Sequence, residues 1–250
     1  SRRRVMIPPE EIEHVGLYWR VDTQFAGMLT ARGIPGDVWL AAFQHLAALM
    51  LSLEVLDSLD SIASSSIGVF TKPDVDNVGV ALLKAFDETL PENVSTLRRQ
   101  LQTRLWQFEG WVSNARTITP PIFMPGAKFV EALISVLVDG LPPLRQSTFF
   151  VYIDEYENLL ESQQEVVNTW LKHSEPPLVF NVAMKRNAFR TRATTGPESL
   201  SEIHDFRRYD LEALEERFDA FAAEVLFMKL AGTPFAAPVD VAILRDPHAT

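Results

Sequence analysis

The chain has 250 residues, 47% of them hydrophobic and 22% charged, a balance that excludes a disordered segment and indicates a globular protein. Its net charge of −10 argues against a general nucleic-acid binder, because neutralising phosphates requires a surplus of Lys and Arg. The absence of cysteine excludes disulfides and thiolate metal sites. With no uninterrupted apolar span and no secretory signal, we expect no membrane association and a cytoplasmic location.

The first half of the chain is predicted to be one strand followed by a helical block. The strand covers His14–Asp22, where apolar and β-branched residues are concentrated. Helical spacing and breakers predict helices at Thr23–Ala31, 38–59 with Asp37 as its N-cap, Asp74–Leu90, Val94–Trp111 and Ala127–Val138. The helix at 38–59 is almost continuously apolar, so we expect most of its faces to be buried.

The second half alternates between strands and helices. Thr148–Ile153 is a strand without polar alternation, which predicts burial on both faces, as in a parallel sheet. The remaining predicted elements are a helix at Glu155–His173, a strand at Pro176–Met184, a polar basic loop, a short strand at His204–Leu211 and a helix at Leu211–Leu230. This order favours an α/β sheet with a large helical insertion between the early strands.

Two adjacent acids, Asp154 and Glu155, follow the strand at Thr148–Ile153. Ligands of open α/β sheets bind at the carboxyl ends of the strands. Asp154 is placed to supply the hard oxygen ligand that a nucleotide-bound Mg²⁺ needs, and Glu155 to orient or deprotonate an attacking water. Four hydrophobic residues followed by Asp-Glu form the Walker B pattern of P-loop ATPases.

Two other interpretations of these acids stay open. Asp154 as N-cap and Glu157 at the third helical position would form a capping box, with the acids favoured by the helix dipole. A metal-dependent nuclease built on Asp154, Glu155 and Glu157 is weaker, because no other acids are spaced to complete a two-metal site.

The next predicted strand ends in the polar residues Lys185, Arg186 and Asn187. In a parallel ATPase sheet the neighbouring strand ends beside the γ-phosphate, where a polar or cationic side chain senses it. The competing interpretation is a solvated basic loop, which also suits Arg190 and Arg192.

These segments together resemble bacterial AAA+/STAND-type ATPases related to the origin-recognition-complex family. The resemblance covers Val15 to Phe221 and is most specific from Phe149 to Arg186, where IDEYENL precedes a Gln-rich turn, the NTWLKHS helix and a strand introduced by Pro-Pro. It implies a P-loop NTPase-like parallel sheet flanked by helices. The ATPase core would cover 1–210 with its helical insertion at about 36–117, and 211–250 would begin a truncated helical lid.

The same resemblance implies roles for the residues singled out above. Asp154 would coordinate Mg²⁺ and Glu155 would be the catalytic acid, with ATP as the nucleotide. Lys185, Arg186 or Asn187 would be the phosphate sensor, although such ATPases often place Asn directly at the strand end. Nucleotide and a protein partner or self-association are the expected contacts.

The phosphate-binding loop of such ATPases, G-x-x-x-x-G-K-[ST], is missing from this sequence. A phosphate loop needs several converging backbone N–H groups and a Lys, and PGAKF at 125–129 lacks that spacing. In the relatives the loop precedes the strand at His14–Asp22, so we expect it upstream of Ser1. The chain as given is then expected not to bind ATP tightly.

Two functions follow from this interpretation. The first is the Walker B part of an ATP-hydrolysing regulatory switch, by analogy in genome defence or DNA-linked processes. The second is an inactive ATPase-like scaffold that binds a protein through its helical insertion.

Overall fold

The computed structural model describes residues 12–30, 33–65, 68–185 and 188–210, and all statements below concern these residues. The chain divides into two compact units, Ser1–Phe206 and Arg207–Thr250, and the elements described here belong to the first. The predicted helix at Leu211–Leu230 and the proposed lid at 211–250 lie outside the described residues.

A three-stranded parallel sheet in the order β1–β2–β3 forms the centre of the unit. The strands are β1 (His14–Arg20), β2 (Thr148–Asp154) and β3 (Leu178–Val182). The helices are α1 (Thr23–Met28), α2 (Gly36–Ala63), α3 (Lys72–Asp76), α4 (Val94–Ser113), α5 (Ala127–Gly140) and α6 (Glu161–Lys172). A parallel sheet flanked by helices, with a helical block between β1 and β2, confirms the predicted α/β, P-loop NTPase-like class.

The strand register brings the carboxyl ends of the three strands to one edge. Arg20 pairs with Asp154 at the ends of β1 and β2, and Ile153 pairs with Val182 at the end of β3. Side chains that follow these strands therefore meet at that edge, which we call the carboxyl edge.

Burial alternates along the strands, so the prediction that β2 is buried on both faces is wrong. Phe149, Val151 and Ile153 are fully buried. In contrast, Tyr152 is 49% exposed, and its neighbour on β1, Tyr18, is 54% exposed. The buried face packs against helices, including α2 at β1 and α6 at β3. The other face of β2 also carries aromatic side chains. The strand is therefore hydrophobic along its sequence, although that face is partly exposed to solvent.

Helix α2 is the central core helix. By length and composition it is apolar enough to cross a membrane, but 61% of its most apolar window is buried inside the protein, in accordance with the sequence prediction. It contacts β1, α4 and α5. It begins at Gly36 after Pro35 without a side-chain cap, so the prediction of Asp37 as N-cap is wrong.

The predicted helix at Asp74–Leu90 is also wrong. Thr71 and Asp74 form a capping box that starts α3 at Lys72, two residues earlier than predicted. The helix ends at Asp76, and Gly79 then forms an antiparallel bridge with Asn93. Glycine is a poor helix former, and the bridge competes with helical hydrogen bonding, so the chain resumes only as a 3₁₀ turn at Ala81–Ala85.

The strand predicted at His204–Leu211 is not formed over its described residues, 204–210. Asp205 accepts hydrogen bonds from the Ser201 N–H at 2.8 Å and from Lys172 Nζ at 3.0 Å. The N–H groups of His204 and Asp205 both donate to the Ser201 carbonyl. These local bonds close a turn at the position where a strand ladder was expected.

Candidate functional site

The chain turns sharply at the end of β2. Glu155 has φ +57° and ψ +40°, and among the described residues it is the one non-glycine residue with positive φ. The Asp154 side chain stabilises this turn, because its Oδ1 accepts the Glu155 N–H at 2.8 Å. A left-handed backbone at a non-glycine residue costs on the order of 1 kcal/mol, and such strain is concentrated at functional positions.

The turn excludes the capping-box interpretation of the two acids. Glu155 is followed by a 3₁₀ turn at Tyr156–Asn158, and α6 begins at Glu161 rather than at Glu155. At that start the Leu160 N–H donates to Gln163 Oε1 at 3.0 Å. The predicted helix start was wrong because the left-handed residue breaks the helical path.

Asp154 contacts the neighbouring strand through Tyr18. The Tyr18 hydroxyl donates a hydrogen bond to Asp154 Oδ2 at 2.8 Å. This hydrogen bond, with some desolvation, raises the pKa of the Tyr18 phenol, which therefore stays a neutral donor. Both oxygens of Asp154 are thus oriented, Oδ1 by its own backbone turn and Oδ2 by Tyr18.

Glu155 is held by a cation from the same strand. Arg20 donates from Nε at 3.0 Å and from Nη2 at 2.6 Å to one oxygen, Glu155 Oε1. The other oxygen, Oε2, accepts from Asn158 Nδ2 at 2.8 Å. The hydrogen bond to Glu155 and its charge raise the pKa of the Arg20 guanidinium, so Arg20 stays a charged donor.

The end of β3 reaches the same turn. The Tyr156 N–H donates to the Ala183 carbonyl at 3.1 Å, and Lys185 Nζ lies 3.4 Å from Glu157 Oε1. Lys185 is 87% exposed on its side chain. The structure therefore brings Asp154, Glu155 and Lys185 to the carboxyl edge, while Arg186 and Asn187 lie outside the described residues.

A buried polar stripe on α6 fixes the loops around this edge. Asn168 is fully buried, accepts from the Tyr156 hydroxyl at 2.6 Å and donates to the carbonyls of Thr191 and Ala193. Gln164 accepts from the Arg190 N–H at 3.1 Å. Helix α6 thus connects the turn after β2 to the segment after β3 through buried polar side chains.

The acids suit a metal site whose ligands come partly from the nucleotide and from water, rather than a site built from protein side chains alone. Within the described residues, no group of three or more His, Asp or Glu side chains is arranged to hold a metal ion. Mg²⁺ at a nucleotide requires one or two carboxylates, with phosphate oxygens and water completing the octahedron. Asp154 fits that requirement, whereas the nuclease interpretation has no complete ligand set in this part of the chain.

Sequence reasoning missed Tyr18, Arg20 and Asn158. Tyr18 and Arg20 lie two residues apart and therefore on one face of β1. The sequence alternation therefore indicated that Tyr18 and Arg20 share a face. Identifying Asp154 and Glu155 as their partners requires the β1–β2 register, which the sequence does not specify.

The sequence profile of the family described as ORC-CDC6-like matches residues 1–233. No curated protein and no solved structure shows significant similarity to the chain.

Proposed function

Because the chain belongs to the ORC-CDC6-like family, whose members are AAA+ ATPases that bind nucleotide, we propose that its carboxyl edge is the Walker B part of an Mg·ATP site. The observation that carries the proposal is the position of Asp154 and Glu155 at the end of a central strand, on a strained turn where two side chains from one face of β1 contact the two successive carboxylates. The site would serve a nucleotide-driven switch in DNA-linked processes or genome defence.

Asp154 is the proposed Mg²⁺ ligand. A neutral donor, Tyr18, orients its Oδ2 without cancelling its charge, and that charge is what the cation requires. The Glu155 N–H on Oδ1 fixes the plane of the carboxylate. Pre-orientation of this kind lowers the entropic cost of closing the coordination sphere.

Glu155 is the proposed residue that orients and deprotonates the attacking water. A carboxylate does this through a free lone pair. In the described arrangement Arg20 occupies Oε1 and Asn158 occupies Oε2. We therefore infer that this arrangement is a resting state, in which release of Arg20 would make Oε1 available to the attacking water.

Lys185, Arg186 and Asn187 remain the proposed phosphate sensors. The position of Lys185 supports the proposal, because its contact with Glu157 puts a cation beside the turn that follows the two acids. Gln164 on α6 donates to the carbonyls of both Tyr156 and Ala188, which ties the start of the segment after β3 to the proposed Walker B turn.

Substitution of the two acids in the natural full-length polypeptide tests this function. Glu155→Gln is expected to retain Mg·ATP and to reduce turnover by on the order of 100-fold or more, because the general base is removed and the shape is kept. Asp154→Asn is expected to weaken Mg²⁺-dependent nucleotide binding. Both are measured by phosphate release and by retention of labelled ATP.

Glu161→Gln is the matched control, because Glu161 is an exposed acid at the start of α6, six residues after Glu155. It is expected to leave turnover unchanged. Normal hydrolysis by the Glu155 variant would refute the assigned role.

The second candidate is a scaffold that binds a protein without hydrolysing ATP. The observation that favours it is that each acid already accepts hydrogen bonds from the chain's own side chains, Asp154 from Tyr18 and Glu155 from Arg20 and Asn158. Isothermal titration separates the two functions. A scaffold gives no Mg·ATP heat with the natural full-length polypeptide, whereas the ATPase gives saturable binding that Asp154→Asn weakens.

A further inference from the structure

A cavity of about 330 Å³ lies in the helical block, between α2, α4 and the segment before α5. Its polar walls come from His45, Asp87, Thr89, Gln100, Arg104 and Gln107. Pro121 and Ile122 supply an apolar wall. None of these residues belongs to the sheet or to the carboxyl edge, and the volume is in the range of small-molecule sites.

His45 is one of the residues that line this cavity. It is 1% exposed, and its Nδ1 accepts the Met124 N–H at 3.0 Å, which places the proton of the neutral ring on Nε2. Phe108 and Phe123 hold the ring at centroid distances of 5.2 and 5.6 Å. Within the described residues, Nε2–H has no protein hydrogen-bond partner and is therefore available to a ligand.

Arg104 supplies further donors. Its Nη1 lies 2.7 Å from Asp87 Oδ2, and its Nη2 donates to Thr89 Oγ1 at 2.7 Å. Because arginine carries five N–H donors, three stay uncommitted among the described residues. The side chain is 13% exposed, so these donors lie in a poorly solvated place, where an incoming acceptor gains most.

Asp87 is not available to a ligand. Its Oδ1 accepts from the N–H and hydroxyl of Thr89 at 2.9 and 2.8 Å, and its Oδ2 is paired with Arg104. Gln100 Nε2 in turn donates to the Thr89 carbonyl at 2.9 Å, which fastens this loop to α4. Both oxygens of the acid are already engaged, and the uncommitted groups of Arg104 are donors, so the cavity favours an acceptor over a cation.

We propose that this cavity binds a small organic carboxylate. Its oxygens accept hydrogen bonds from His45 Nε2–H and the free N–H groups of Arg104, and its apolar body lies against Pro121 and Ile122. An oxyanion suits the fixed fork of guanidinium N–H donors by geometry, although Asp87 already balances the charge of Arg104. The apolar wall and the size of the cavity favour a carboxylate with a hydrocarbon body over a bare inorganic anion.

Histidine NMR on the full chain tests the proposal directly, with benzoate and butyrate as the probes. Labelling the imidazole nitrogens with ¹⁵N allows the His45 Nε2 signal to be followed during each titration. We expect a saturable shift of that signal, with a dissociation constant of about 1 mM or below for the better probe. The bound carboxylate is also expected to raise the pKa of His45, because it offsets the positive charge of Arg104.

Two variants and a control locate the binding by isothermal titration with the better probe. Asp87→Asn combined with Arg104→Met removes both charges of the ion pair, so that neither is left buried alone. We expect affinity to fall at least tenfold. His45→Gln keeps an acceptor for the Met124 N–H but misplaces the donor, and we expect a several-fold loss. Arg99→Met, an exposed arginine on the same helix, is expected to change nothing.

Thermal melting establishes that each variant is folded, and His45→Gln carries the test if the double variant is not. Three results would overturn the proposal. They are no saturable shift with either carboxylate, unchanged affinity in the folded cavity variants, and binding of inorganic phosphate without binding of benzoate or butyrate.

Discussion

Arg20 and Glu155 are joined across two adjacent parallel strands by a pair of hydrogen bonds that converge on Glu155 Oε1, at 3.0 and 2.6 Å. Two residues earlier, on the same face of β1, the Tyr18 hydroxyl donates one hydrogen bond to Asp154. Strand β1 thus presents one side chain to each of the two acids, in the order in which the acids occur. The site is therefore a property of the strand pair and not of the Asp-Glu motif alone.

Replacing Arg20 by Ala is predicted to raise basal ATP hydrolysis by the natural full-length polypeptide several-fold. The substitution frees Oε1 of Glu155, so that the carboxylate is able to orient water without first breaking an ion pair. The ion pair is largely solvent-exposed, with side-chain exposures of 66% and 33%, so little stability is lost. Steady-state phosphate release and a thermal melt provide the two readouts.

Arg145→Ala is the matched control for this prediction, because Arg145 is an exposed arginine just before β2, at the opposite end of the strand. Its hydrolysis rate is expected to equal that of the unmodified protein. A fall in the Arg20 variant as large as that of Glu155→Gln would show instead that Arg20 positions Glu155 for the reaction.

The free energy of unfolding is predicted to fall as the pH is lowered from about 6.5 to about 4, and protonation of His45 contributes to this fall. Burial, followed by the positive charge of Arg104, lowers the pKa of His45 from 6.5 to about 4. The unfolded chain binds this proton first, so acid favours unfolding between the two pKa values. A shift of this size corresponds to about 3 kcal/mol.

Urea unfolding at a series of pH values in that range measures the effect. The carboxylate of Asp87 is also close to Arg104, and its pKa is held below the usual range by its hydrogen bonds with Thr89 and Arg104. Protonation of Asp87 therefore destabilises the protein at a lower pH than protonation of His45 does. His45→Gln is expected to flatten the slope between pH 6.5 and 4, and an unchanged slope would contradict the assignment.

The sequence predicted the strands of the sheet well, and the turns at their ends poorly. The apolar runs at β1, β2 and β3 stand out against polar flanks, and the long apolar helix α2 was recognised for the same reason. The left-handed Glu155 was not foreseen, because its conformation depends on Asp154 Oδ1 accepting a backbone N–H. The missed partners Tyr18 and Arg20 depend on strand register, and the false strand at 204–210 on the local bonds of Asp205.

The buried residues Tyr156 and Asn168 are predicted to contribute cooperatively to the free energy of unfolding. Tyr156→Phe leaves one buried acceptor unpaired and is expected to cost about 1–2 kcal/mol. Asn168→Ala orphans the Tyr156 hydroxyl and the carbonyls of Thr191 and Ala193, so about 3 kcal/mol is expected. Denaturant unfolding of the two variants and their double variant gives the coupling.

Ser162→Ala serves as the control, since Ser162 is exposed on the same helix, α6. Additive costs in the double variant would mean that the hydroxyl and the amide act independently. The expected result is a double variant less destabilised than the sum by about 1 kcal/mol or more.

Gly140 and Gly110 are predicted to respond in opposite directions to the same substitution. Gly140 ends α5, and a Cβ there would lie 2.6 Å from Cγ1 of the buried Val78, whereas a Cβ at Gly110 in α4 meets nothing within 4 Å. Gly140→Ala is therefore expected to destabilise by about 1–3 kcal/mol through overpacking. Gly110→Ala is expected to stabilise by up to about 1 kcal/mol, because alanine is the better helix former.

Removing the methyl groups that cause the clash tests this cause. Val78→Ala alone leaves a small void and is expected to destabilise by about 1–2 kcal/mol. In the Gly140→Ala background the new methyl group occupies part of that void, so the double variant should be more stable than the sum of the two single costs predicts. Urea midpoints of the four proteins decide the matter: strict additivity would mean that the cost at Gly140 comes from the helix end itself and not from Val78.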